Sequence, residues 1–246
     1  MKNLKKIFIT SSGRSGSKAI AQALNKINHV DSYHGPNVFE MENCLKYQKK
    51  MSSAQVKLML GEKRDPLLAH SYNRNNHYVE SSWFLSAILE EIIEKYPDAL
   101  VVHLVRDGRD FVRSGMNRFW FKPGALSRYN AWTRDRWSPP SECRSRLEKI
   151  SWLWAEQQRI QRLSMEKIPK KNNGGVIRLE DLISTPHINK FADQIGLPYT
   201  DDIILEKTNK SKNPYVIPHW KSWNDEYIDQ TKRWLGDELR EYDYEW

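Results

Sequence analysis

The 246-residue chain holds only two cysteines, Cys44 and Cys143. A disulfide framework or a structural zinc site needs more of them in tighter spacing, so the pair excludes both. Long apolar runs are also missing, and no window approaches the length of a membrane span. The basic first residues are followed by an apolar stretch too short for a secretory signal. A bacterial, cytoplasmic protein is the expectation. Acidic residues are the minority, 31 against 39 Lys and Arg, for a net charge of +8. That balance suits a polyanionic partner. The cations are spread along the chain without a lysine run or a nucleic-acid motif, so nucleic acid is not the expected partner. No repeat and no linker interrupts the chain, and its length fits one α/β domain with a full core, residues 1–246.

Two short stretches carry the chemistry. In the first, Ile7, Phe8 and Ile9 form a β-branched apolar run that reads as a buried strand. The turn after it contains Ser12, Gly13, Arg14, Ser15, Gly16, Ser17 and Lys18. Ile20, Ala23, Leu24 and Ile27 then recur at helical spacing. Glycine lets the backbone take positive φ and approach a ligand. Successive N–H groups in such a turn, with a helix N-terminus behind them, make an anion site. Ser15 and Ser17 add hydroxyls; Arg14 and Lys18 add charge. An ordinary serine-capped turn is the plain alternative, but two cations so close repel unless an anion lies between them. The stretch is not a Walker A loop: Ser17 separates Gly16 from Lys18, and Ala19 follows.

The second stretch is the apolar run Leu100 to Val105, broken only by His103 and ending in Arg106-Asp107-Gly108-Arg109-Asp110. Phe111, Val112, Gly115, Met116 and Phe119 mark the apolar side of a following helix. A magnesium-binding strand would end in a carboxylate. This one ends in arginine, which holds an anion directly. Arg106 and Ser114, eight residues apart, can serve one phosphate if the helix starts near Asp107. A surface Asp/Arg network is the alternative reading. Two anion sites at the carboxyl ends of strands in one sheet suit a nucleotide with phosphates at both ends.

Together the stretches resemble the sulfotransferases that use 3′-phosphoadenosine 5′-phosphosulfate (PAPS). Gly13-Arg14-Ser15-Gly16-Ser17 is similar to the family's 5′-phosphosulfate loop, and Arg106 with Ser114 matches its 3′-phosphate pair. Tyr78-Val79-Glu80-Ser81-Ser82 and Arg178-Leu179-Glu180-Asp181-Leu182 resemble bacterial members in order and spacing. The resemblance spans residues from about 5 to 195. It implies a P-loop NTPase-like three-layer α/β fold, with a central parallel sheet of about five strands flanked by helices. It also implies PAPS as cosubstrate without a metal, and a hydroxyl or amine acceptor on a small molecule or glycan. Three departures stand out: Leu179 replaces a frequent tyrosine, Gly35 a frequent glutamate, and Lys18 a second Thr or Ser. A P-loop kinase-like phosphotransferase and a non-catalytic nucleotide-binding protein are the competing readings. The kinase reading lacks its Gly-Lys-Ser/Thr and its strand-end aspartate.

Sulfuryl transfer is an in-line displacement governed by positioning and charge stabilisation. Arg14 is the expected stabiliser of the leaving phosphate. The acceptor needs a base, and three residues qualify. Glu80 is expected at the carboxyl end of the third strand, with an ion pair to Arg14 or Lys18 as its alternative role. His34 follows the second strand in a His-Gly-Pro turn, where capping backbone is the alternative. Glu40 comes slightly later.

Along the rest of the chain, strands are expected over Val30 to Tyr33, Tyr78 to Ser81 and Val176 to Leu179. Helices are expected from Asn43 to Gly61, along the stripe Leu85, Ile88, Leu89, Ile92 and Tyr96, and from Arg144 to Lys167. A loop-like insertion at about 120–142 holds Trp132 and Trp137 with Arg128, Arg134 and Arg136, arranged to stack on a sugar or hold an acidic acceptor. Trp152 and Trp154 read as packing residues on the long helix. A helical segment follows at about 199–246, whose Lys210, Lys212, Trp220 and Lys221 are candidates to close over the nucleotide.

Overall fold

The computed structural model describes residues 4–36, 42–122, 137–183, 185–199, 201–206 and 216–246. The chain forms two compact units, Met1–Val105 with Ile160–Thr208, and Arg106–Arg159 with Asn209–Trp246.

The first unit is built on five parallel strands: β1 (Lys6–Ser11), β2 (Val30–His34), β3 (His77–Ser82), β4 (Leu100–Val105) and β5 (Asn173–Arg178), in the order β2-β3-β1-β4-β5. This is the expected α/β sheet. Ile7, Ile9, Val79, Val102 and Leu104 are fully buried on one face under helices α1 (Ser17–Leu24) and α7 (Thr185–Gln194), which contribute Ile20, Leu24, Ile188 and Phe191. Phe8, Tyr78 and Val101 face the other way. They pack against α3 (Ser53–Asn73), α4 (Leu89–Lys95) and the end of α6 (Arg146–Lys167), through Val56, Leu60, Ile92 and Met165. A short α2 (Glu42–Tyr47) precedes α3. Burying each such side chain contributes roughly 1.5–3 kcal/mol. The chain leaves β1 through α1 on one face and reaches β4 through α4 on the other. That reversal beside β1 is the topological switch point at which such sheets bind ligands.

Two boundaries differ from the sequence reading for physical reasons. The lysine-rich stretch after Asn43 forms two helices, because Ser52 starts α3 with a reciprocal cap: its hydroxyl accepts from the Gln55 amide while Gln55 accepts from the Ser52 amide. β5 starts at Asn173, ahead of the expected Val176, so Gly174 and Gly175 lie inside it. A β-carbon at Gly174 would sit 2.7 Å from the Val102 side chain and 3.1 Å from the Val101 carbonyl. Glycine there permits the close approach of β5 to β4 at an irregularity in the pairing between Val101 and His103.

The second unit contains α5 (Gly108–Asn117), the first part of α6, and α8 (Asp225–Glu241). Asp107 caps α5 by accepting from the Arg109 amide at 2.9 Å. Phe111 and Val112 are buried in it, but Phe119 lies beyond the helix with φ 57° and is exposed rather than apolar-facing. Trp137, expected in an open loop where it could stack on a sugar, is a core residue, 1% exposed. Trp154 is fully buried, and its indole donates to the Arg106 carbonyl at 3.2 Å. Among the described residues no helix is long and apolar enough to cross a membrane.

Candidate active site

The turn between β1 and α1 has the conformation of an anion cradle. Gly13, Arg14 and Gly16 have φ of 75°, 53° and 79°. A left-handed arginine costs about 1–2 kcal/mol, and such strain concentrates at functional turns. Gly16 is the N-cap of α1, so no side chain caps the first amides, and no acid stands in the first turn. The positive end of the helix therefore faces the turn. Ser15 was expected to offer its hydroxyl to the anion. It is fully buried, and instead donates to the Gly13 carbonyl at 2.9 Å and meets the Ser12 hydroxyl at 3.0 Å. Ser12 and Ser15 thus brace the turn from beneath. Ser17 is 5% exposed, and Lys18 is exposed.

Two side chains set the position of this turn. The Trp83 ring packs over Gly13, 3.4 Å from where a β-carbon would stand. Leu179 Cδ1 lies 2.6 Å from the β-carbon position at Gly16. The residue that replaces the family's frequent tyrosine is therefore packed on the cradle itself. Gly16→Ala should destabilise the protein by roughly 1–3 kcal/mol, from left-handed strain and from this clash. In a thermal double-mutant cycle with Leu179→Ala, a coupling of about 0.5–3 kcal/mol should appear. Additive losses would show that Leu179 gives way freely.

His34 closes β2 rather than following it, and its Nδ1 lies 3.0 Å from the Ser81 carbonyl. A carbonyl only accepts, so Nδ1 carries the proton and Nε2 the lone pair. The residue is exposed at the end of its strand, yet its neighbours displace water from the ring. That desolvation, the largest influence, lowers its pKa below 6.5. The Ser81 carbonyl and Glu80 act upward, Lys18 and Arg14 downward. Lys18 and Arg14 of the turn are therefore within electrostatic reach of this imidazole.

Glu80 is a different case. It lies inside β3 rather than at its end, and it is fully buried. Arg64 from α3 donates to both carboxylate oxygens, at 3.1 and 3.2 Å, and the Tyr78 hydroxyl adds a bond of 2.9 Å. The ion pair weighed as Glu80's alternative role exists, but its partner is Arg64, not Arg14 or Lys18. Glu40 lies outside the described residues, as do Arg128, Trp132, Arg134, Arg136, Lys210 and Lys212.

In the second unit, Arg106 donates to Asp110 at 2.9 Å, and Asp110 lies 4.0 Å from His219. Asp110 and Ser114 are four residues apart on α5, and Arg106 lies just before the helix cap. The Ser114 hydroxyl accepts from Arg118 at 3.2 Å. Arg118, which the sequence reading does not single out, is the residue that follows α5. Arg109 is nearly buried, grips Asp107 through Nε and Nη2, and stacks 3.6 Å above the Trp220 ring. Trp220 is thus a packing partner of Arg109, and Lys221 lies 5.6 Å from the same ring.

The sulfotransferase domain model matches residues 6–178. The chain belongs to the sulfotransferase domain family and is an enzyme of sulfuryl transfer. It is similar in fold to the sulfotransferase domain from the curacin biosynthetic pathway, at 13% identity and a TM-score of 0.56, over 100% of this chain and 99% of that one. A sulfotransferase from Alicyclobacillus acidocaldarius is similar at 11% identity and a TM-score of 0.56, over 96% and 93% of the two chains. The three-layer architecture is the P-loop NTPase-like one of these proteins. No curated protein sequence matches the chain.

Proposed function

We propose that this sulfotransferase takes its sulfuryl group from PAPS and delivers it to a hydroxyl or amine of a small molecule or glycan, with His34 as the base. The observation that carries this reading is the His34–Ser81 hydrogen bond, which leaves Nε2 as an acceptor within reach of the charges of the β1–α1 turn. PAPS supplies an activated sulfuryl group and a phosphate leaving group. The turn fits that phosphate: a glycine N-cap, an uncapped helix start and an arginine held in a left-handed conformation. His34 Nε2 takes the proton as the acceptor oxygen attacks sulfur. Arg14 and the turn amides meet the charge that grows on the departing phosphate oxygen. Arginine stays protonated, so Arg14 stabilises without acting as an acid.

We assign the 3′-phosphate to Arg106 and Ser114, with Arg118 as a third contact. The phosphate then takes Arg106 from Asp110. A kinase reading would need a carboxylate after β4 for magnesium. β4 is followed by Arg106 instead, and both oxygens of the next residue, Asp107, are engaged by Arg109. We infer a bacterial, cytoplasmic setting from the cysteine-poor chain and the motif resemblance.

Adenosine 3′,5′-bisphosphate should bind in the presence of EDTA and outcompete ATP in calorimetry. Equal or tighter binding of Mg-ATP would replace this reading with the kinase one. Arg106→Ala should weaken the bisphosphate by about 2–4 kcal/mol, the scale of a lost charge-assisted contact. Adenosine 5′-phosphate should hardly be affected. Equal losses for both nucleotides would make Arg106 structural.

A further inference from the structure

The two oxygens of Asp110 face different partners. Oδ2 accepts from Arg106 Nη2 at 2.9 Å, whereas Oδ1 faces His219 Nε2 at 4.0 Å. The Arg106 and Asp110 side chains are 27% and 24% exposed, so water competes for this pair only in part. The His219 ring is oriented by its own backbone. Its Nδ1 accepts from the Lys221 amide at 3.3 Å, where His219 caps the short helical turn Trp220–Ser222. With Nδ1 as acceptor, the neutral ring carries its proton on Nε2, the atom turned to Asp110. That helical turn is anchored at the start of α5. Trp220 stacks 3.6 Å from the Arg109 guanidinium, and Asp107 holds Arg109 with both oxygens.

A phosphate at Arg106 disturbs this arrangement. It replaces Asp110 as the partner of the guanidinium, and it brings a charge of about −1.5 to −2 beside the carboxylate it displaces. Like charges so close need a compensating group. His219 is already turned to the oxygen that Arg106 does not use. A hydrogen bond from Nε2 to Oδ1 needs an approach of about 1 Å, which rotation of the Asp110 side chain supplies once Arg106 is drawn away.

We propose that His219 is a positioning residue for the donor nucleotide: it receives the Asp110 carboxylate when the 3′-phosphate takes Arg106. The inference rests on the reading of Arg106 as the 3′-phosphate ligand. Asp110 and the 3′-phosphate compete for one guanidinium, and His219 settles the competition by giving the loser a second partner. A nucleotide without a 3′-phosphate leaves the Arg106–Asp110 pair closed and draws nothing from His219. The histidine therefore sets how sharply the enzyme distinguishes nucleotides with and without that group, although it touches neither.

Calorimetry with adenosine 3′,5′-bisphosphate and adenosine 5′-phosphate tests this. His219→Ala should weaken the bisphosphate about fivefold, the upper end for a partly exposed pair, and leave the 5′-phosphate unchanged. His219→Gln keeps an N–H near the position of Nε2 and should restore most of the loss. Asp110→Asn should tighten the bisphosphate about threefold to tenfold, because the competing charge is gone. In the Asp110→Asn protein, His219→Ala should then have no effect. A bisphosphate bound more weakly by Asp110→Asn overturns the proposal, since the carboxylate would be aligning Arg106 rather than competing for it. A His219→Ala loss that persists in the Asp110→Asn protein also overturns it, since the imidazole would meet the phosphate itself. So does no loss, or an equal loss for both nucleotides, the mark of a merely structural residue. Arg106→Ala separates this from the assignment beneath it. A loss confined to the bisphosphate there, with no coupling between His219 and Asp110, removes the exchange alone. Equal losses for both nucleotides remove the assignment and the proposal together.

Discussion

Replacing His34 with asparagine is expected to lower turnover by about 10²–10⁴-fold, the range for loss of a general base. Affinity for adenosine 3′,5′-bisphosphate should change little if His34 serves the acceptor, as proposed. The pH profile gives the sharper result. The pKa of His34 lies below 6.5, chiefly through desolvation. Its neutral, proton-accepting form therefore predominates at pH 7. Activity should hold from neutral pH downward and fall only as the pH drops through that lowered pKa, where Nε2 becomes protonated. In His34→Asn this acid limb should vanish, leaving a low and flat rate. A variant that keeps the limb would assign it to another group. Unchanged turnover would remove His34 from the mechanism.

The ranking of His34 against Glu80 was not available from the sequence, and the reason is geometric. All six residues of β3 are buried, since a parallel strand is covered on both faces. Without polar alternation, nothing in Tyr78-Val79-Glu80-Ser81-Ser82 tells which side chain looks toward α3 and which toward α1. The partner of Glu80 lies beyond the expected end of the helix at Gly61, but its spacing is visible once α3 is known. Val56, Leu60 and Leu68 are buried along α3, and Arg64 stands in the same four-residue series. An arginine inside an apolar stripe calls for a buried partner, and the structure supplies the Glu80 carboxylate. The strand-to-helix turn, the sheet and the helix after Arg106 were legible because each rests on a contiguous apolar run or a helical apolar spacing in the chain. Trp137 was not. Its neighbouring prolines read as loop, while only tertiary contact shows that the ring is buried. Gly174 failed for the same reason, since its need for a missing side chain arises on the adjacent strand.

Breaking the Arg64–Glu80 pair should cost about 3–5 kcal/mol, because removing one partner strands the other charge in the interior. Arg64 is 3% exposed and Glu80 is fully buried, so water cannot replace the missing partner. Glu80→Gln is the informative change. It preserves shape and one acceptor oxygen but leaves the guanidinium unneutralised. For a chain of this size each kcal/mol lowers Tm by roughly 2–4 °C, so the loss is visible in a melting curve. Tyr78 must be included in any repair. Its hydroxyl donates to Glu80, and burial with the adjacent carboxylate pushes its pKa well above 10, so it stays neutral. Replacing all three at once, Tyr78→Phe, Glu80→Leu and Arg64→Met, removes every polar group of the cluster together. That protein should recover most of the stability lost by Glu80→Gln, since a buried ion pair exchanged for apolar side chains of similar volume is often neutral or better. Turnover in the triple variant should stay within a few-fold of the parent if Glu80 only holds α3 against the sheet. A Glu80→Gln protein that melts normally but turns over at least a hundredfold more slowly would return the base to Glu80, and His34 to backbone capping.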